Sequence, residues 1–408
     1  MDIRPIVSSL SRHKLAALLI VLEIAASCAI VCNALFLIGD RIGHMQRPSG
    51  TNEAHLVALK VNAVNRDGDA MAITRADLEA LRSLPGVRAA TIINQVPFGN
   101  SMWNSGVKLD ANQEESTLVS TNYMVGRDGL RTLGLQLIAG RDFNASEYSD
   151  LNQGNDDALS FPAVILSQPL AQHLFPDGQA IGKAIYVFGD TPHRIVGVVA
   201  RMTQPRDSRK TGNYEESMIF PGMPDYDSGV YLLDVADPGQ REAVLAAAKK
   251  TLMAQGPLRI VSSRTSTTLQ ELRERYYRND RAMAWLLVGV SGLLLLITAL
   301  GIVGLASFWV QQRTKQIGIR RALGATRQQI LRYFQTENFL LAGIGIVLGM
   351  LLAYSLNLLL MDRYELPRLP LAYLPIGALL LWLLGQLAVL WPARRAAAIP
   401  PAVATRSA

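Results

Sequence analysis

The stretch AMAWLLVGVSGLLLLITALGIVGLASFWVQQRTKQIGIRRALGATRQQILR, residues 282–332, decides the architecture of this 408-residue chain. Its first part, Ala282 to Gln312, holds no Asp, Glu, Lys or Arg and exceeds the roughly 20 helical residues that a bilayer core requires. Its second part, Arg313 to Arg332, carries six basic residues and no acidic one. An apolar run followed by a basic one marks a membrane helix leaving the bilayer on the cytoplasmic side, where Lys and Arg collect.

Working outward, three further runs have the same character. Leu15 to Gly39 has one charge, Glu23, while Asn338 to Met361 and Leu369 to Ala393 have none. Four transmembrane helices are therefore expected, over 15–39, 282–312, 338–361 and 369–393. If they cross in turn, the segments 1–14, 313–332 and 394–408 share one side, and together they hold twelve basic residues against one acidic residue, Asp2. That side is the cytoplasm, with both termini on it. The formal net charge of +7 is then mostly a signature of topology, and no nucleic-acid partner is needed to explain it. Ile3, Ile6, Val7 and Leu10 fall on one helical face, so residues 1–14 read as an amphipathic helix on the inner membrane surface. Residues 394–408 read as a cytoplasmic tail. A cleaved signal peptide is the competing reading of the first run, with Ala26-Ser27-Cys28 as a faint lipoprotein-like site. The apolar run continues well past Cys28, which favours a retained helix.

Between the first two spans, residues 40–281 form one extracytoplasmic block, large enough for two subdomains. HLVALKV, RAATIINQV, STLVSTNYMV, AVILS, AIYVF, RIVGVVA, GVYLLDV and LRIVSS read as strands, and TRADLEALRSL, QPLAQHLF and PGQREAVLAAAKKTLMAQ as helices. The fold class is thus an α-helical membrane protein with four transmembrane helices and a large extracytoplasmic α+β domain between helices 1 and 2. TSTTLQELRERYYRNDRA has helical composition without a breaker and is expected to run continuously into the second span. The short loop around MDRYELPRLP makes the last two spans an antiparallel hairpin.

Catalytic constellations are missing. No G-x-x-x-x-G-K-[ST] phosphate loop occurs, because GQAIGK has too few residues between its glycines, and G-x-S-x-G, H-E-x-x-H and paired-cysteine motifs are absent. The expectation is a chain that is not an enzyme and holds no cofactor or metal. Its two cysteines, Cys28 and Cys32, read as small packing residues of the first span.

The basic segment, residues 313–337, carries more local information. Thr326 and Gln329 have capping-box spacing and would start a helix entering the third span, and Gly324 suits the end of a shorter helix before it. Ile317, Ala322 and Leu323 could form a small apolar knob flanked by Arg320 and Arg321. On these residues alone two readings stay open: a knob for a groove on a partner protein, or arginines that enforce topology and touch lipid phosphates. Glu23 is the one ionisable residue well inside a span, a functional hypothesis by default, with Asn33 or Gln386 at suitable depth to partner it. Gly345-Ile-Val-Leu-Gly349 permits close helix approach, within one chain or between two.

IGIRRALGATRQQILRYFQTENFLL, residues 317–341, resembles the signature of the FtsX/MacB superfamily of ABC-transporter permeases, and WPARRAAAIPPAVATR resembles its C-terminal ending. VSTNYM, LGLQLIAGRDF, AVILSQPLAQHLFPDGQAIGKAI and HRIVGVVA follow the order of a MacB-like periplasmic domain. The resemblance implies a bacterial inner-membrane permease that dimerises, with itself or with a sister permease. It also implies a separate cytoplasmic ABC ATPase that binds the ATP, since full-length MacB carries its ATPase ahead of the first span and this chain begins about fourteen residues before it. The family's coupling element maps onto Ile317, Gly318, Arg320, Arg321, Ala322, Leu323, Gly324 and Ala325. A periplasmic adaptor and an outer-membrane channel are further partners implied for an efflux or extraction system. The alternative is an FtsX/Bce-like signalling or sensing subunit that activates a partner. One departure is Gln316, where the family often has Glu.

Overall fold

The structure, a computed structural model, describes residues 14–65, 68–151, 160–206, 213–364 and 368–398. The expected amphipathic helix over 1–14 and most of the tail over 394–408 lie outside the described residues. The chain divides into two compact units, Arg47–Arg278 on one side and Met1–Gln46 with Asn279–Ala408 on the other.

The second of these units is helical. Its helices are α1 (Lys14–Gln46), α7 (Arg278–Gln312, whose first residue belongs to the other unit), α8 (Thr314–Ala322), α9 (Arg327–Tyr364) and α10 (Tyr373–Ala398), the intervening α2–α6 being in the other unit. Four of them, all but α8, are long and apolar enough to cross a membrane. Helices α1, α7 and α9 extend beyond their apolar runs because nothing in the flanking polar turns breaks a helix, whereas α10 starts at Tyr373, four residues inside its run, after Pro370. The centre of the bundle is α1, whose residues Ile20, Ile24, Cys28 and Cys32 are buried at i, i+4 spacing. Glycines on the neighbours allow this close approach: a Cβ on Gly345 would stand 2.9 Å from Ile24 Cβ, and one on Gly349 would overlap Cys28. The G-x-x-x-G therefore packs α9 against α1 within the chain, and Cys28 and Cys32, both free thiols, fill the same seam, Cys32 lying against Gly377 of α10. At one end of this unit Arg41 of α1 and Asp280 of α7 form an ion pair at 2.5 Å.

The other unit, residues 47–278, contains two main sheets, each with its own core. Its strands in chain order are β1 (Leu56–Leu59), β2 (Val61–Ala63), β3 (Val87–Ile93), β4 (Asn104–Val107), β5 (Leu118–Met124), β6 (Leu137–Gly140), β7 (Ser149–Asp150), β8 (Ala163–Ser167), β9 (Ala184–Tyr186), β10 (Pro192–Val199), β11 (Ser217–Phe220), β12 (Gly222–Met223), β13 (Val230–Val235), β14 (Arg259–Val261) and β15 (Thr267–Thr268). Helices α2 (Ala70–Arg82), α3 (Gly129–Leu133), α4 (Gln168–Leu174), α5 (Arg241–Ala254) and α6 (Leu269–Tyr276) intervene. The antiparallel sheet β15-β1-β13-β3 buries one face, with Val57, Leu59, Ile92 and Leu233, against Leu78 and Leu81 of α2 and Leu245 and Leu252 of α5. The mixed sheet β4-β5-β11-β8-β10-β6, with β9 on β10, packs Val164, Leu166, Met218 and Phe220 against Leu170 and Leu174 of α4. Asp69 caps α2 by accepting from Met71 N at 2.9 Å and Ala72 N at 3.1 Å. That helix turns Asp77 inward, where it holds the guanidinium of Arg259 and accepts from Tyr231 Oη at 2.6 Å. Burial, reinforced by the adjacent Asp77 charge, pushes the Tyr231 phenol well above its ordinary range.

Every strand and helix expected in this block is present, but the expected continuous helix over 265–282 is not. Residues 267–268 join a sheet, α6 ends at Tyr276, and Tyr277 is a turn before α7 begins. The Tyr277 ring is buried between Tyr276 and Phe98, at centroid distances of 4.8 and 6.0 Å. Burial of that ring holds the turn where sequence composition alone favours helix.

Candidate functional site

The basic segment forms a short helix, a glycine turn and a new helix. Helix α8 ends in a Schellman motif: Ala325 N donates to Arg320 O at 3.0 Å and Gly324 N to Arg321 O at 3.2 Å, with Gly324 at φ +98°. Such a left-handed residue strongly favours glycine. The start of α9 is a complete capping box, Thr326 N donating to Gln329 Oε1 at 2.8 Å and Gln329 N to Thr326 Oγ1 at 3.3 Å. Turn geometry thus follows from four residues, Gly324, Ala325, Thr326 and Gln329.

The helix has two distinct sides. Ile317 and Gly318 are buried, Ile317 in the core of the helical unit at 5% exposure. Arg321 donates from Nη1 to Ala397 O near the end of α10 at 3.1 Å, and the Arg320 guanidinium lies over the Tyr333 ring, 5.1 Å from its centre. The outer side carries Ile319 at 47% exposure and Leu323 at 83%, with Ala322 and Gly324 also exposed and Ala325 half-buried. The expected knob of Ile317, Ala322 and Leu323 is therefore not one surface. Ile317 faces inward because it lies one turn before Arg321 on the face that packs on the bundle, and Ile319 takes its place outside.

Directly before α8 lies a feature that sequence reasoning missed. Arg313 occupies the turn between α7 and α8, and its Nη1 donates to both carboxylate oxygens of Glu337 in α9, at 3.0 and 2.9 Å. The side chains are 10% and 2% exposed, and the guanidinium stacks over the Trp309 ring at 5.7 Å. A buried charge persists where it is paired and hydrogen-bonded. This pair ties the entrance of the basic segment to the helix at its exit. One signal was visible: Glu337 is the lone acidic residue between Arg313 and Met361.

Glu23 is half-buried in α1 and packs against Gly301 of α7, where a Cβ would come within 2.6 Å of Oε2. One turn on, Ser27 Oγ and Thr298 Oγ1 join the same two helices by a hydrogen bond of 2.7 Å. Neither expected partner reaches Glu23. Asn33 Nδ2 donates to Ala29 O at 2.9 Å and Ala353 O at 3.1 Å, and Gln386 belongs to the groove between α9 and α10. Asn33 stands ten positions after Glu23 along the helix, about 15 Å, too far for contact. Among the described residues no group of three or more His, Cys, Asp or Glu is placed to hold a metal.

Four helices long and apolar enough to cross a membrane, with a short two-faced helix between the second and third, make up the frame of this unit. Residues 288–401 match the family model described as FtsX-like permease C-terminal. The chain is 28% identical over 262 residues to the "Uncharacterized ABC transporter permease YvrN" of Bacillus subtilis (strain 168), covering 62% of this chain and 64% of that protein. It is 26% identical over 414 residues to the "Macrolide export ATP-binding/permease protein MacB" of Campylobacter jejuni subsp. jejuni, covering 97% of this chain and 59% of that protein. This chain thus spans less than two thirds of either relative's own length. A solved structure of the periplasmic region of MacB from Actinobacillus actinomycetemcomitans aligns with 57% of this chain and 98% of that one, at 15% identity and a TM-score of 0.32. The chain is thus similar to ABC transporter permeases of the FtsX/MacB type, with an FtsX-like permease segment over residues 288–401.

Proposed function

We propose that the chain is the non-catalytic membrane subunit of a MacB-type ABC system in a bacterial inner membrane, with its termini in the cytoplasm and residues 47–278 outside. A separate cytoplasmic ABC ATPase binds and hydrolyses the ATP and docks on the outer side of α8. Its cycle moves the permease, as a dimer with a second copy or a sister permease, so that the extracytoplasmic unit drives efflux or extraction with an adaptor and an outer-membrane channel. The observation that supports this is the two-sided α8: Leu323 and Ile319 project outward, while Ile317, Arg321 and the neighbouring Arg313–Glu337 pair bind the helix to the bundle. A load applied to the exposed side is therefore passed to α9 and α10.

The test is reconstitution of the permease in nanodiscs with its ATPase. Leu323→Asp and Ile319→Asp should each abolish docking and the stimulation of ATP hydrolysis, because each sets a charge in an apolar contact, while leaving the permease folded. Full stimulation by both variants would remove α8 as the docking element. Vesicle transport with the adaptor present separates efflux from the signalling reading, in which ATP turnover proceeds with no solute moved.

A further inference from the structure

A groove of about 510 Å³ runs between α9 and α10 of the helical unit, within the size range of specific ligand sites. Its walls are Phe339, Leu383, Leu387 and Leu390, with Phe339 and Trp382 closing it by an edge-to-face contact at 5.9 Å. Two donors within it have no acceptor: Trp382 Nε1 and Gln386 Nε2 are buried and without a hydrogen-bond partner among the described residues. Such orphaned donors are uncommon in folded proteins and ask for an acceptor from outside the chain. At the mouth stands Arg332, exposed and the one charged residue of the lining. The nearest acidic side chain in sequence, Glu337, is committed to Arg313.

We infer that this groove binds one anionic phospholipid from the leaflet that holds the coupling segment, with the phosphate at Arg332, an ester carbonyl at Gln386, and an acyl chain running on past Leu387 to Leu383, Phe339 and Trp382. The depths agree. Arg332 lies in the second turn of α9, near the end where headgroups stand, and Phe339 lies about two turns deeper at 1.5 Å per residue. A neutral lipid satisfies Gln386 equally well but leaves Arg332 without its counter-charge. The expected preference is accordingly for charge, not merely for an acyl chain. This inference rests on the membrane placement in the preceding subsection and not on ATPase docking.

The full-length permease, reconstituted without any ATPase in nanodiscs holding equal amounts of phosphatidylglycerol and phosphatidylcholine, is released and its retained lipids are counted by native mass spectrometry. One phosphatidylglycerol per chain is expected in excess over phosphatidylcholine. Arg332→Gln should lower that retention roughly fivefold, the effect of one interfacial cation, and Leu387→Trp, which fills the groove, should remove it. Arg363→Gln and the docking variant Leu323→Asp should retain the lipid. Equal retention of both lipids, no change on Arg332→Gln, or an equal loss on Arg363→Gln would each overturn the assignment. Loss of docking in Leu323→Asp with lipid retained keeps the two proposals apart.

Discussion

Removing Glu337 tests the internal linkage of the segment around α8 most directly. The carboxylate is 2% exposed and both of its oxygens lie 2.9–3.0 Å from one nitrogen of Arg313. At an effective dielectric near 20, unit charges about 4 Å apart attract by roughly 4 kcal/mol. Taking one partner from a buried pair typically costs about 3–5 kcal/mol, because the other charge is left uncompensated. The two single changes should differ in order. In Glu337→Ala the stranded Arg313 is long enough to swing its guanidinium toward the interface, so the loss should lie near the lower figure. In Arg313→Ala the shorter Glu337 has no such route, and the loss should lie near the upper one. The double variant Arg313→Met/Glu337→Leu removes both charges and should recover most of the stability. Unfolding in mixed micelles, followed by tryptophan fluorescence with Trp309 stacked on Arg313, measures all three. The double-mutant cycle isolates the coupling between the sites. Single losses below about 1 kcal/mol, or a double variant whose loss equals the sum of the singles, would refute the claim that this pair holds α7, α8 and α9 together.

Three further outcomes follow from local geometry. Gly324→Val should lower the unfolding midpoint and uncouple α8 from α9, since φ +98° is a rare outlier for a β-branched residue; an unchanged midpoint by the same fluorescence assay would show that the turn relaxes freely. Gly349→Leu should cost about 1–3 kcal/mol by overpacking against Cys28 and Ala25 O, whereas Gly343→Leu, which meets nothing within 4 Å, should be nearly neutral, a contrast read from paired unfolding curves. His193 is fully buried among Phe161, Phe188 and Phe220 with Nδ1 2.7 Å from Phe161 O, and burial pushes its pKa below the ordinary value. Below about pH 6.5 the unfolded chain then binds the proton that the folded chain refuses. Stability of the unit over residues 47–278 should fall as pH drops through that value, and His193→Phe should flatten the profile between pH 7.5 and 5 in calorimetry.

The long-range plan of this chain was legible because long apolar helices announce themselves by length and composition, and β-rich segments by branched apolar runs. Individual turns were legible where chemistry is local: Gly324, Thr326 and Gln329 specify their own backbone within a few residues. Strand β11, SMIF, was not. It is four residues long and buried on both sides at the middle of its sheet, so it has neither alternation nor length to separate it from a loop. The break at Tyr277 was hidden for a related reason, since its cause is the pocket formed by Phe98 and Tyr276, one wall of which is distant in sequence.

The misreading of Ile317 and the omission of Glu337 have a common physical origin. Charge near a membrane has two jobs, setting orientation and forming buried pairs, and composition reports only their sum. Arg313 entered the basic excess together with Arg320, Arg321 and Arg327, although it is 92% buried as a whole residue and neutralised. Once Arg313 and Glu337 are assigned to each other, α8 is tethered at its N-terminal end by an ion pair and at its C-terminal end by Arg321 on Ala397 O. A nine-residue helix held at both ends has one side left to present. That side is the one carrying Ile319 and Leu323, which is why the apolar surface follows from the positions of the charges more than from the apolar residues themselves.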